Sequence, residues 1–195
     1  NTILSNIQLF DHPNYFRKDL YTSMNTLTYE NLHETKKHVS FQFPYNTYLC
    51  SIPLDFTQVP LHWHNDVEII VIKKGCGIIS VDTKPRVVKA GDIVLVRPGQ
   101  LHSISQHGKD CMEYENILFQ TSLLYSADSD PRTVGYFQPY FSLEYELPWL
   151  FDDTCFFHEA LSSCIDAIDD LCSKKPDYYE SVSYTHLRAH ETCAD

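Results

Sequence analysis

The middle of the chain consists of short apolar runs rich in β-branched residues, separated by Gly, Pro, Asn and Asp. This texture begins at Tyr48 and is typical of strands joined by tight turns. Because no helical segment is interleaved, the pattern predicts a sandwich or barrel rather than a parallel α/β sheet. Turns are expected at 73–75, 82–85, 98–99 and 107–109. Strands are predicted at 47–53, 67–73, 77–82, 86–90, 93–97, 102–106 and 112–120.

Beyond Tyr125 the pattern changes to a Pro- and aromatic-rich connector and then to a helix. Apolar residues there recur at steps of four and three, which is the spacing of one helix face. Asp177 followed by Glu180 indicates the start of a second helix. The apolar stripe is expected either to pack on the barrel or to form a dimerisation seam with a partner helix. Its residues are Phe157, Leu161, Cys164, Ile168 and Leu171.

These changes divide the chain into four segments. Near the N-terminus, Thr28–Lys37 has a helical pattern. Near the C-terminus, residues 182–192 resemble a translated sequencing adapter of the kind used in transposase-based library preparation. His186 and His190 are therefore given no function, and the natural protein is expected to continue beyond Ser181. The segments are an N-terminal arm at 1–46, a barrel at 47–125, a connector with dimerisation helices at 126–181, and a tail at 182–195 that is expected to be non-native.

Composition narrows the class of protein. A chain of 195 residues with 43% hydrophobic residues can bury one domain and a smaller appendage. Its net charge of −11, with no cluster of Lys and Arg larger than isolated pairs, argues against direct binding of nucleic acid by this chain. No apolar run approaches the roughly 18 residues of a membrane span, so no membrane partner is expected.

The seven cysteines form no C-x-x-C pair, and an odd number is a poor disulfide framework. This usage predicts a reducing compartment and a cytoplasmic location. Cys76 and Cys111 are expected to be small core residues. The sequence contains no nucleophile motif, phosphate loop or dinucleotide fingerprint, so no catalytic residue is assigned.

The most informative constellation is a group of three histidines and one glutamate. His62, His64 and Glu68 have the same parity, so in one extended strand they share a face. His102, from a later strand, can complete a set of four. Such a set suits a divalent metal (Zn, Fe, Mn or Ni) with an open position for water or ligand. The alternative is a group of barrel-lining polar residues that bind each other or a small molecule.

These residues resemble the two motifs of the cupin superfamily, although Phe56, Pro98 and Gln106 depart from them. The resemblance implies a mainly β fold, a cupin-type double-stranded β-helix or jelly-roll barrel followed by α-helices, with the four ligand positions inside. The matching residues are His62, His64, Glu68, Gly75, Gly91, Gly99 and His102.

Three segments, 61–75, 89–102 and 114–119, narrow the resemblance to the N-terminal sensing and dimerisation domain of AraC-type transcription regulators. This family implies a small-molecule effector, such as a sugar, and a homodimer. It also implies that DNA is bound only through a C-terminal helix-turn-helix domain, which this sequence lacks. No cofactor is required by that function.

The leading hypothesis is therefore an effector-sensing domain whose arm closes over the bound molecule. Trp63 is expected to pack on the outer face. Arg97 is expected either to bind an anionic group of the effector or to form a surface ion pair. The alternatives are a metal-dependent cupin enzyme, an isomerase or dioxygenase acting on a small polar substrate, and a binding module without a regulatory partner. The predicted effector-binding residues are His62, His64, Glu68, His102, Tyr48 and Arg97.

Overall fold

Eight strands, all paired antiparallel, form the body of the protein in a computed structural model that describes residues 26–39, 44–124, 131–143 and 145–174. The strands are β1 (Tyr45–Ile52), β2 (Gln58–His62), β3 (Val67–Val81), β4 (Lys84–Lys89), β5 (Ile93–Val96), β6 (His102–Gln106), β7 (Met112–Phe119) and β8 (Leu150–Phe151). The helices are α1 (Thr26–Glu30), a 3₁₀ turn (Thr121–Leu123), α2 (Pro131–Phe141) and α3 (His158–Lys174).

Strand β3 connects the two halves of the barrel. Its first part pairs with β5 and β7, and its second part pairs with β4 and β6. The strand bends at Gly75, which has a φ of 73°, and the pairing with β7 shifts register between Ile72 and Lys74. A Cβ at Gly75 would lie 1.9 Å from the carbonyl oxygen of Cys111, so only glycine fits this bend.

The first part of β3 is buried on both faces, because one face lines the barrel and the other is covered by helix α3. Ile70 and Ile72 belong to the inner core, whereas Ile69 packs with Ile165 and Ile168 of α3 in an outer core. Glu68 has the parity of Ile70, which places it on the inner face. The alternation of side chains along β3 therefore places the charged side chain of Glu68 inside the barrel.

The predicted mainly β fold with following helices is confirmed, but several element boundaries were wrong. The predicted turn at 73–75 lies inside the single strand β3. Strand β2 was missed because Pro60 argues against a strand. In the structure, Pro60 is accommodated because β2 pairs irregularly with β6 between Val59 and His62. Helix α2 was missed because its two prolines indicated a connector, although Pro131 occupies the first helical position, where proline is favourable.

The remaining differences lie at the two ends of the sequence. The N-terminal helix covers Thr26–Glu30 rather than Thr28–Lys37. Strand β8, from the predicted connector, pairs with β5 and so extends the barrel sheet past residue 125. The predicted second helix and the tail at 182–195 lie outside the described residues. Among the described helices, none combines the length and apolarity that a membrane crossing requires.

Candidate functional site

Three histidines and a glutamate from four different elements meet inside one end of the barrel. His62 ends β2, His64 lies in the following loop, Glu68 is in β3 and His102 begins β6. We call these four residues the histidine cluster. His62 is paired with His102 across the β2–β6 ladder, and their ring centroids are 4.1 Å apart. The prediction that His62, His64 and Glu68 share one strand was wrong, because the chain leaves β2 after His62 and enters β3 at Val67.

Glu68 connects two of the rings. Its Oε2 lies 3.1 Å from Nε2 of His64 and 2.9 Å from Nε2 of His102, and all three side chains are at most 5% exposed. Burial alone would raise the pKa of Glu68, but the contacts from His102 and His64 outweigh burial and hold this pKa well below its ordinary value. The same carboxylate raises the pKa of His64 against the effect of burial.

His62 differs from the other two histidines. Its pKa is lowered by burial and by the neighbouring His102, so this ring favours the neutral state. The cluster thus combines the His62 imidazole, which favours the neutral state, with two imidazoles that share the Glu68 carboxylate.

Each histidine of the cluster is held by a backbone carbonyl at its Nδ1. A carbonyl oxygen only accepts, so Nδ1 carries the hydrogen in all three rings and Nε2 remains for the cluster or a ligand. The acceptors are the carbonyl oxygens of Pro60 for His62 at 2.9 Å, of Asp66 for His64 at 3.0 Å and of Gln100 for His102 at 3.0 Å.

This arrangement fits a divalent metal. Ligand nitrogens of the three histidines lie within 4.8 Å of one another. Neutral Nε2 atoms and the Glu68 carboxylate are all acceptors, so their close approach requires a shared cation, either a proton or a metal ion. Metal-ligating histidines in proteins commonly donate their second ring N–H to a carbonyl or carboxylate, as these do. The donor set matches Zn, Fe, Mn or Ni.

Residues 26–39 belong to the predicted N-terminal arm at 1–46 and are called the arm from here on; they lie across the end of the barrel next to the cluster. Trp63 anchors the arm: its ring stacks on Tyr29 at 4.7 Å, its Nε1 donates to the Tyr29 carbonyl at 2.8 Å, and the His33 ring lies 4.2 Å away. Backbone hydrogen bonds link Trp63 to Leu32 and Glu34. Trp63 therefore packs outside the cluster, as predicted, and its partner is the arm.

The arm contributes two polar residues that the sequence analysis did not single out. Oε2 of Glu34 lies 2.8 Å from Nε2 of His38 and 3.6 Å from Nε2 of His62. The His38 ring is 6.1 Å from the His64 ring, between centroids. In the sequence, the only sign of the Glu34–His38 pair is their spacing of four residues. This spacing could not indicate a role at the cluster without knowledge of where the arm lies.

The two weaker effector candidates lie in different surroundings. The Tyr48 hydroxyl accepts from Nδ2 of Asn46 at 2.9 Å and donates to the His38 carbonyl at 3.4 Å, so Tyr48 adjoins the arm. Arg97 is buried, which excludes the surface ion pair that was its alternative prediction. Its Nη1 donates to the carbonyls of Tyr140 and Tyr145, so it ties the end of α2 to the barrel.

The predicted dimerisation stripe lies partly in the core of the single chain. Ile168 is buried in the outer core and Leu161 packs against it. Phe157 precedes α3 and its ring is 5.7 Å from that of Phe151. Cys164 and Leu171 are half-buried. Packing on the barrel thus occupies part of the stripe, and dimerisation stays a prediction.

A small antiparallel barrel with a polar cluster inside one end, covered by an N-terminal arm, defines a ligand-binding module of the cupin type. The family model of the AraC-like ligand binding domain matches residues 55–152. The chain belongs to this family, as its motifs predicted.

A curated relative is the uncharacterized HTH-type transcriptional regulator YdeC of Bacillus subtilis (strain 168), 25% identical over 157 residues. The match covers 77% of this chain and 51% of the relative, so the chain spans about half the length of the curated relative it matches.

Similar solved structures include a cupin protein from Bacteroides fragilis, 23% identical with a TM-score of 0.38, covering 46% of this chain and 75% of that one. A predicted oxalate decarboxylase from Thermotoga maritima is 27% identical with a TM-score of 0.35, covering 38% of this chain and 64% of that one.

Proposed function

We propose that this chain is the effector-sensing and dimerisation part of an AraC-family DNA-binding transcription regulator. The observation that carries the proposal is the histidine cluster beneath the arm, in a domain of the AraC-like ligand-binding family. The similarity to an HTH-type regulator about twice as long as the matched region supports a DNA-binding function elsewhere in the full protein. The acidic charge of this chain is consistent with that division.

The chemistry of the cluster favours a small polar effector rich in hydroxyl groups. Three imidazoles and the carboxylates of Glu68 and Glu34 line the site, so it offers mostly acceptors to a bound molecule. A hydroxyl both donates and accepts, so it can pair with each of these groups. A sugar is one such molecule. An effector with several carboxylates would meet Glu34 and Glu68 as like charges.

The signal would pass through the arm. Effector bound between the cluster and the arm gains contacts with Glu34 and His38 only while the arm is closed, so binding shifts the population towards that state. The altered arm, or a surface next to it, then changes how two sensing domains associate through α3. A homodimer is the expected assembly.

A second candidate function, a metal-dependent cupin enzyme such as an isomerase or dioxygenase, is favoured by one observation. The three histidines present their nitrogens to a common point with a carboxylate beside them, which is a donor set that catalytic metals use. A bound metal would supply Lewis acidity there. The residues of this chain would hold it through His62, His64 and His102 and orient a polar substrate against Glu68 and Glu34.

A thermal-shift screen tests the proposal. The full chain is heated with neutral sugars and small polar acids, each with and without Zn²⁺, Fe²⁺, Mn²⁺ or Ni²⁺. A ligand at one hundred times its Kd stabilises the folded state by about 2.7 kcal/mol, which is readily measured. We expect a polyhydroxylated compound to stabilise the native chain and His158→Ala, whose histidine bonds to Gly91 outside the cluster, but not His64→Ala.

The outcomes separate the two functions. Stabilisation that is equal in His64→Ala would contradict binding at the cluster. Stabilisation that requires a metal, together with chemical conversion of the compound, would support the enzyme instead. Binding without conversion supports the sensor.

A further inference from the structure

A second group of side chains of the kinds that ligate metals lies at the other end of the barrel. Cys76 follows the bend of β3 at Gly75, and His107 and Asp110 lie in the turn between β6 and β7. We call these three residues the thiol cluster. His102 begins β6 and His107 follows its last residue, so the two clusters are separated by the length of this strand, about 17 Å at 3.3 Å per residue.

The three side chains are already close together. Sγ of Cys76 lies 3.1 Å from Oδ2 of Asp110 and 3.9 Å from Nδ1 of His107, and Nδ1 of His107 is 3.0 Å from Oδ2 of Asp110. A tetrahedral zinc ion with ordinary bond lengths to S, N and O requires about 3.3–3.6 Å between its ligand atoms. The observed distances differ from this range by a few tenths of an ångström, which a small rotation of exposed side chains removes.

The backbone holds these residues in place. The N–H of Asp110 donates to the His107 carbonyl at 2.9 Å, and Nε2 of Gln106 donates to the Asp110 carbonyl at 3.0 Å. On the other side, the N–H of Cys76 donates to the Cys111 carbonyl at 3.2 Å. The turn and the bend of β3 are therefore joined next to the cluster. Little rearrangement would be required on binding.

The cluster is accessible. The side chains of His107 and Asp110 are 45% and 54% exposed, and Cys76 is half-buried. The expectation that Cys76 and Cys111 are core residues was wrong, since Cys76 is only half-buried and Cys111 is exposed. A metal here would keep a solvent-facing position for water, and an ion could enter without opening the barrel.

We propose that Cys76, His107 and Asp110 form a binding site for one divalent transition metal, with zinc as the best match to one sulfur, one nitrogen and one oxygen ligand. The site is separate from the histidine cluster and independent of the proposed function. A cysteine ligates a metal as the thiolate, so metal binding here releases the thiol proton and affinity increases with pH.

Cobalt titration tests this site because only a thiolate ligand gives the near-ultraviolet sulfur-to-cobalt charge-transfer band. The full chain is stripped with a chelator, kept reduced without a competing thiol, and titrated with Co²⁺. We expect the band to saturate at one equivalent per chain and to disappear on addition of Zn²⁺. The histidine cluster contains no sulfur, so Co²⁺ bound there does not contribute to this band.

Matched variants assign the ligands. Cys76→Ser should abolish the band, whereas Cys111→Ser and the double variant His62→Ala/His64→Ala should retain it. Loss of even a hydrogen-bonding partner of a metal ligand costs about 10- to 100-fold in affinity, so His107→Ala and Asp110→Asn should weaken Co²⁺ binding by at least about tenfold. Circular dichroism confirms that each variant is folded. Absence of the band in the native chain, or its retention in Cys76→Ser, would overturn the proposal.

Discussion

The anchoring of the arm by Trp63 leads to a quantitative prediction for Trp63→Ala. The substitution removes the stack on Tyr29, the ring contact with His33 and the hydrogen bond from Nε1 to the Tyr29 carbonyl. Aromatic pairs contribute about 0.5–1.5 kcal/mol each beyond their buried area, and a hydrogen bond contributes about as much. The backbone bonds between residue 63 and the arm remain available.

The closed arm should therefore lose about 2 kcal/mol or more relative to an open arm. This corresponds to a roughly 30-fold increase in the opening equilibrium constant. Native-state hydrogen exchange measures it directly, because the amide of Glu34 donates to the carbonyl of residue 63 and exchanges when the arm opens. The protection factor of this amide should fall by at least about 30-fold in Trp63→Ala.

Two comparisons make the measurement specific. Trp63→Phe keeps an aromatic ring but lacks Nε1, so its effect on the Glu34 amide should be smaller, about 2- to 12-fold. The amide of Ile104, in β6, reports the barrel and should be unchanged in both variants. Unchanged protection of Glu34 in Trp63→Ala would refute the anchoring, and an equal loss at Ile104 would mean that the substitution unfolds the whole domain.

Two further predictions concern helix α3. Ile165→Ala removes a side chain that is 2% exposed in the outer core, so the free energy of unfolding in urea should fall by about 2–5 kcal/mol. The control Asp166→Ala, at an exposed position of the same helix, should lower it by less than about 0.5 kcal/mol. Equal losses in the two variants would contradict the packing of α3 on the barrel. Asp169 has a pKa raised from 3.8 to about 6 by burial and by Glu115, with Lys73 opposing. Between these two pH values the folded chain keeps a proton that the unfolded chain has released, so its stability falls as the pH rises. From pH 4 to pH 7 the native chain should lose about 1–2 kcal/mol more than Asp169→Asn, allowing for the half-buried position, and parallel stability profiles would contradict the shift.

The histidine cluster could be predicted from sequence because its residues lie in short motifs with fixed spacing. The inference of one shared strand was nevertheless wrong, and the residues meet for another reason. Register pairs His62 with His102, and the inner face of β3 presents Glu68 to both His64 and His102. The alternation of side chains along a strand correctly predicted that Glu68 lies on an inward face, whereas one sequence could not show which strands pair with each other.

The errors in β3 and β2 arise from local signals that the whole structure overrides. Lys73 and Lys74 are exposed and precede a glycine, which is the pattern of a turn. Gly75 instead allows the strand to bend and continue in the second half of the barrel. Pro60 disfavours a strand in general, but it is tolerated where the β2–β6 ladder is irregular.

The contribution of the arm could not be predicted because it depends on contacts between distant parts of the chain. Glu34 and His38 lie in a polar N-terminal segment, and they approach the histidine cluster only through the packing of Tyr29 and His33 against Trp63. The local sequence around Glu34 and His38 does not predict that packing, because it joins residues about 30 positions apart.

The most direct test of the effector-sensing account is to follow the histidine ring signals by NMR while titrating the full chain with the compound selected by thermal shift. Resonances of His62, His64 and His102 should shift in proportion to saturation, while those of His107 and His158, outside the cluster, remain unchanged. This result would place the effector at the histidine cluster. Saturable binding that leaves the three cluster histidines unperturbed would contradict the account.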